Sequence, residues 1–132
     1  MRRHDQSALF LTKAAQDEYV LAALVTDPSA PIEVFGFHAQ QAAEKLLKAV
    51  LVSHGIEYPP THQLVRLIDL VTSNGITFPR SLEEIRLLSP FAVEFRYDVI
   101  PNEDEEDIDK SAIRGRIADL RIWAEKAIKT PA

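Results

Sequence analysis

The stretch between Pro31 and Gly55 restricts the fold of this chain more than any other. Over 32–54 it carries Val34, Phe35, Phe37, Ala39, Ala42, Ala43, Leu46, Leu47, Val50 and Leu51. At helical spacing these side chains cover most of the circumference. A helix that is apolar nearly all round has to be surrounded by other elements, so it belongs at the centre of a bundle. Pro31 suits the first turn of such a helix and Gly55 its end.

The rest of the chain supplies helices to surround it. A first helix over 5–25 places Phe10, Ala14, Asp17, Leu21 and Leu24 on one face, with Asp17 interrupting the apolar line. The link Glu57-Tyr58-Pro59-Pro60 reads as extended chain, with Thr61 as the N-cap of a third helix over 62–73. Leu64, Leu67, Ile68 and Val71 form its inner face, and Asn74-Gly75 closes it. A fourth helix opens at Ser81, with Glu84 three residues on as a capping box, and carries Leu82, Ile85 and Leu88. Pro90 predicts a kink or a break in it, with a second part running through Phe91, Phe95 and Arg96 to Asp98. After a loop at Ile100-Pro101-Asn102, a fifth helix spans 105–129, with Ile113, Ile117, Leu120, Ala124 and Ala127 facing inward. The expectation is an all-α, antiparallel up-and-down bundle of five to six helices, forming one domain over 1–132.

Composition narrows the function. There is no cysteine, so neither disulfides nor thiolate chemistry is available. A net charge of −5 argues against broad, nonspecific nucleic-acid binding but leaves room for a local basic site. No apolar run approaches the roughly 20 residues of a membrane span, and the N-terminal apolar run is too short for a signal peptide, so a cytoplasmic location is expected. Gly-rich phosphate loops, zinc-spaced ligands and Ser–His–Asp sets are absent from the sequence, and no metal or cofactor is expected. The acidic run Glu103 to Asp107, with Asp109, reads as the first turn of the last helix rather than as a cation site. Asp107-Ile108-Asp109 lacks the Gly-Ser turn and the strands of a nucleotidyltransferase.

Three motifs follow one another at compatible spacing: Gln41-Ala42-Ala43-Glu44-Lys45-Leu46-Leu47-Lys48-Ala49, then Thr61-His62-Gln63-Leu64, then Phe95-Arg96-Tyr97. Together they resemble the HEPN family, with Asp17 at an acidic position common in that family's first helix. The resemblance implies an α-helical bundle that commonly dimerises. It also implies a partner protein of the nucleotidyltransferase type, as in toxin–antitoxin pairs, and a nucleotide or RNA as ligand. Catalytic members are metal-independent ribonucleases with an Arg followed four to six residues later by a His. Here no histidine follows Arg96, the four being His4, His38, His54 and His62. A noncatalytic or weakly active module is therefore the leading expectation. The alternative is a ribonuclease toxin using Arg96 with Tyr97 or His62.

Each site residue has a bland role beside the functional one. Arg96 suits a bidentate phosphate contact or an ion pair with Asp17. His38, Gln41, Lys45 and Lys48 share one line of the central helix, either lining an anion groove or forming its solvent face, with Lys45 the one expected to turn inward. His62 either transfers protons or bonds at a helix start near Tyr58. Asp17, Gln41, Lys45, Lys48 and Arg96 are the expected ligand-binding set.

Overall fold

A computed structural model describes residues 2–92 and 109–129. Among these, helices α1 (Arg3–Leu24), α2 (Ile32–Ser53), α3 (Leu64–Ser73) and α4 (Lys110–Ala127) are joined by a 3₁₀ segment, Arg80–Ala92. The protein is all-α, as its periodicities require.

Helix α2 is the hub. Phe35, Ala39, Ala42, Ala43, Leu46, Leu47, Val50 and Leu51 are fully buried, and the other elements pack around it. Helix α1 lies antiparallel to it. Ser7 near the start of α1 donates its hydroxyl to the Ala49 carbonyl at 2.9 Å, while Asp17 meets His38 and Lys45. Ala14, Asp17 and Leu21 of the expected α1 face are buried, and Phe10 and Leu24 are half-buried at its edges. Helix α4 runs in the same direction as α2. The Lys110 ammonium at its start lies over the Phe35 ring, and at its end His54 Nε2 bonds the Ala127 carbonyl at 2.7 Å. Ile117, Leu120 and Ala124 are buried, with Ile113 and Ala127 half-buried. Arg121 ties α4 to α1 through both Glu18 oxygens and the Leu11 carbonyl.

Both glycine stops work as the sequence implies. Gly55 and Gly75 take φ of +70° and +82°. The following Ile56 and Ile76 return N–H bonds to Leu51 and Val71, five residues back. This arrangement satisfies the last carbonyls of a helix and folds an apolar residue back onto its final turn.

Three expectations are corrected. Helix α3 begins at Leu64, not at His62. Thr61 is not its cap but accepts from the Gln63 N–H two residues on, while the Ser89 hydroxyl accepts from the Leu64 N–H across the fold. Second, the fourth helix is a 3₁₀ run that continues through Pro90 instead of an α-helix broken there. Its buried residues, Leu82, Ile85 and Leu88, recur every three positions, and a three-residue turn stacks them in a single row. Third, Glu84 is no capping-box residue. It pairs with Arg116 of α4 at 2.6 Å. The second part expected beyond Pro90, including Phe95 to Asp98, the loop at 100–102 and the acidic run up to Asp107 lie outside the described residues. Asp109 caps α4 by accepting from the Ala112 N–H.

Candidate functional site

The polar residues of α2 gather around two carboxylates. The first is Asp17, which projects from α1 into the seam with α2. Its Oδ1 lies 2.9 Å from His38 Nδ1 and its Oδ2 accepts from Lys45 Nζ at 2.6 Å. The second is Glu44 of α2, the residue before Lys45. Its Oε2 accepts from Lys48 Nζ at 2.8 Å, and its Oε1 lies 2.9 Å from His62 Nδ1. Each carboxylate thus grips one lysine and one histidine. A carboxylate only accepts, so each imidazole carries its proton on Nδ1 and leaves Nε2 for another partner.

Gln40 links the site to the backbone. Fully buried, it donates to Glu44 Oε1 at 3.1 Å and to the His62 carbonyl at 3.0 Å, and its own oxygen accepts from Gln41 at 2.8 Å. The chain between α2 and α3 therefore folds back along α2, so that His62 stands beside Glu44. On the way Tyr58 passes under the Lys48 ammonium, 5.3 Å from the ring centre. Among the described residues no buried side-chain nitrogen or oxygen lacks a partner.

Burial alone would raise the Glu44 carboxyl pKa. Hydrogen bonds from Lys48, His62 and Gln40 outweigh it and hold the group below its usual value of 4.5. The site is thus built of compensated charges. Lys45 and Lys48 already have anionic partners, so a phosphate arriving here competes with Asp17 or Glu44 for them.

Of the expected ligand set, Asp17, Gln41, Lys45 and Lys48 come together on this face. Lys45 turns inward to Asp17, but Lys48, which was not singled out for this, is covered more fully. The reading of the stripe as a solvent face is corrected: His38, Lys45 and Lys48 are largely covered because they reach sideways to carboxylates. His62 is the most open member, its side chain 64% exposed. Its expected bond at a helix start is replaced by the bond to Glu44. Arg96 and Tyr97 lie outside the described residues, so the Arg96 pairing with Asp17 does too. Glu44 and Gln40 are the members that the sequence reading passed over. The signal was present as a four-residue ladder, Gln40, Glu44, Lys48, along one side of α2.

Among the described residues no three His, Asp or Glu side chains converge as a metal ligand set, and no helix is long and apolar enough to cross a membrane. No curated protein and no solved structure matches the chain. The family model described as HEPN domain matches residues 8–114, which takes in most of α1, all of α2, the Glu44–His62 contact, α3 and the start of α4. With most of its length covered by that match, the chain belongs to the HEPN domain family.

Proposed function

We propose that this chain is a HEPN module that works by binding rather than by the family's usual ribonuclease chemistry. In this reading it docks a protein partner of the nucleotidyltransferase type, as a homodimer, and holds a nucleotide phosphate with Lys45, Lys48 and Arg96. The observation that carries the reading is family membership combined with the absence of any histidine downstream of Arg96. The family includes nucleotide-related and toxin–antitoxin modules. A phosphate displaces the carboxylates only where its own charge and an added guanidinium exceed what Asp17 and Glu44 offer, which is the role assigned to Arg96. The test is RNA cleavage by the purified protein in EDTA, run beside Arg96→Ala, together with adenosine monophosphate binding by both. The expected result is no cleavage by either protein, and nucleotide binding that the substitution weakens at least tenfold. Equal nucleotide binding by both proteins rules out the Arg96 assignment.

One observation favours a second reading. His62 is exposed, and a buried glutamate fixes its Nδ1. An imidazole held in this way has its Nε2 available to take a proton from a substrate hydroxyl. A metal-independent ribonuclease using His62 with Arg96 or Tyr97 then predicts cleavage in EDTA that both His62→Ala and Arg96→Ala abolish.

A further inference from the structure

Beside the Asp17 cluster, between the N-terminal half of α1, the C-terminal half of α2 and the following link, lies a half-open cavity of about 410 Å³. Leu9, Phe10, Val52 and Tyr58 form its apolar walls, and Lys13 and Lys45 are its charged members. Among the described residues that line it there is no carboxylate. The volume falls in the range of small-molecule sites, which combine mostly apolar walls with a few placed polar groups. Lys13 is exposed on α1, one turn before Asp17. Lys45 is held by Asp17 at 2.6 Å with a quarter of its side chain still open, so its ammonium is fixed in place and an anion in the cavity shares it with Asp17 while Lys13 supplies the second charge. A cation fixed before binding loses little freedom when an anion arrives.

We propose that this cavity binds a small amphipathic anion, with a flat apolar body against Phe10 and Tyr58 and a single phosphate, sulfonate or carboxylate between Lys13 and Lys45. The walls decide against a bare phosphate, which would leave them wet, and the lysines decide against a neutral apolar ligand. The proposal goes beyond the reading above, which asks only for a phosphate at the polar face of α2.

The test is a titration of the full-length protein followed by amide chemical shifts, with three probes: 8-anilinonaphthalene-1-sulfonate, adenosine monophosphate and inorganic phosphate. The aromatic sulfonate is expected to bind once and saturably, shifting Gln6, Leu9, Lys13, Val52 and Tyr58. Inorganic phosphate is expected to bind at least a hundredfold more weakly. Lys13→Glu and Leu9→Glu, both at exposed positions, are each expected to weaken the sulfonate at least tenfold while leaving the spectrum of the free protein folded. Shifts spread over Tyr19, Leu87 and Ile122, or affinity unchanged in both variants, would overturn the proposal. Adenosine monophosphate separates the two readings. If it binds nowhere while the sulfonate fills the cavity, the nucleotide reading fails and this one stands. If it shifts only residues around Glu44 and His62 and the sulfonate leaves the cavity unshifted, this one fails and the nucleotide reading stands.

Discussion

His62 Nδ1 sits 2.9 Å from Glu44 Oε1, so an exposed imidazole at the mouth of the fold is anchored to a carboxylate in its interior. The same carboxylate holds Lys48 through its other oxygen. Among the described residues, Glu44 is the carboxylate whose pKa the fold lowers. Glu44 has a lower pKa folded than unfolded, so its ionisation stabilises the fold above about pH 4.5, and that contribution is lost as pH falls further. Urea denaturation from pH 7 to pH 3 is expected to show a decline beginning below pH 4.5, and Glu44→Gln should flatten it. At pH 7 the variant should lose about 1–3 kcal/mol, because Lys48 keeps its position without its anion. An acid decline of equal steepness in both proteins would count against the assignment.

Asp17→Ala removes the shared partner of Lys45 and His38 in the seam between α1 and α2. Both donors are partly open to water, so the expected loss is about 1–3 kcal/mol rather than the larger cost of stranding a fully buried charge. Adding Lys45→Met to Asp17→Ala should recover part of that loss. Strictly additive effects in this double-mutant cycle would mean that the pair does not interact.

Gly36 lies flat against the Phe91 ring. A methyl group there would fall within 2.6 Å of three ring atoms. Gly36→Ala should therefore cost about 1–3 kcal/mol through overpacking, although alanine is the better helix former. The thermal midpoint reports the sign directly, and a rise in it would show that Phe91 moves aside freely.

Leu47 and Leu87 share a residue type but not a setting. Leu47 on α2 is fully buried, whereas Leu87 on the 3₁₀ segment is 73% exposed. Truncation to alanine is expected to cost about 2–5 kcal/mol at Leu47 and under about 0.5 kcal/mol at Leu87. Comparable losses at the two positions, measured by chemical denaturation, would contradict the core described here.

Ser89→Ala tests how α3 is begun. The Ser89 hydroxyl accepts from the Leu64 N–H, a task usually given to a local cap. About 0.5–2 kcal/mol should be lost, with earlier hydrogen exchange at the first turn of α3 than elsewhere in that helix. Thr61→Ala, which removes the hydroxyl that accepts from the Gln63 N–H outside the helix, should leave that exchange unchanged.

The helices were legible because burial writes its period into the sequence. The run from Phe35 to Leu51 spreads its apolar residues over most of the helix circumference, and Gly55 and Gly75 mark ends that need a positive φ. The 3₁₀ segment was read as an α-helix, because the three-residue spacing of Leu82, Ile85 and Leu88 also satisfies part of an α-helical pattern. What the sequence concealed was tertiary exchange of roles. Ser89 caps a helix 25 residues earlier, and Glu84 serves Arg116 instead of its own backbone. Glu44 escaped notice because a lysine four residues later makes it look like an ordinary surface pair, and only the returning chain at His62 encloses it. Asp17 was singled out as an acid on an apolar face, and its described partners, His38 and Lys45, came from the stripe that was read as solvated.

The way α1, α2 and α4 are joined bears on the order in which the bundle assembles. Helices α1 and α2 meet across the short connection 25–31, so closing that hairpin costs little chain entropy. Among the described residues, helix α4 is tied to the same core by partners far away in sequence, with Arg121 and Leu11 separated by 110 residues and His54 and Ala127 by 73. Non-local closures of this kind set the pace of folding. The hairpin bearing Asp17, His38 and Lys45 is therefore expected to form ahead of α4, with amide exchange in α4 faster than in α1 and α2 as the measurement that checks it. A chain opened at α4 bares the flank of α2 that α4 covered while the Asp17 seam stays closed.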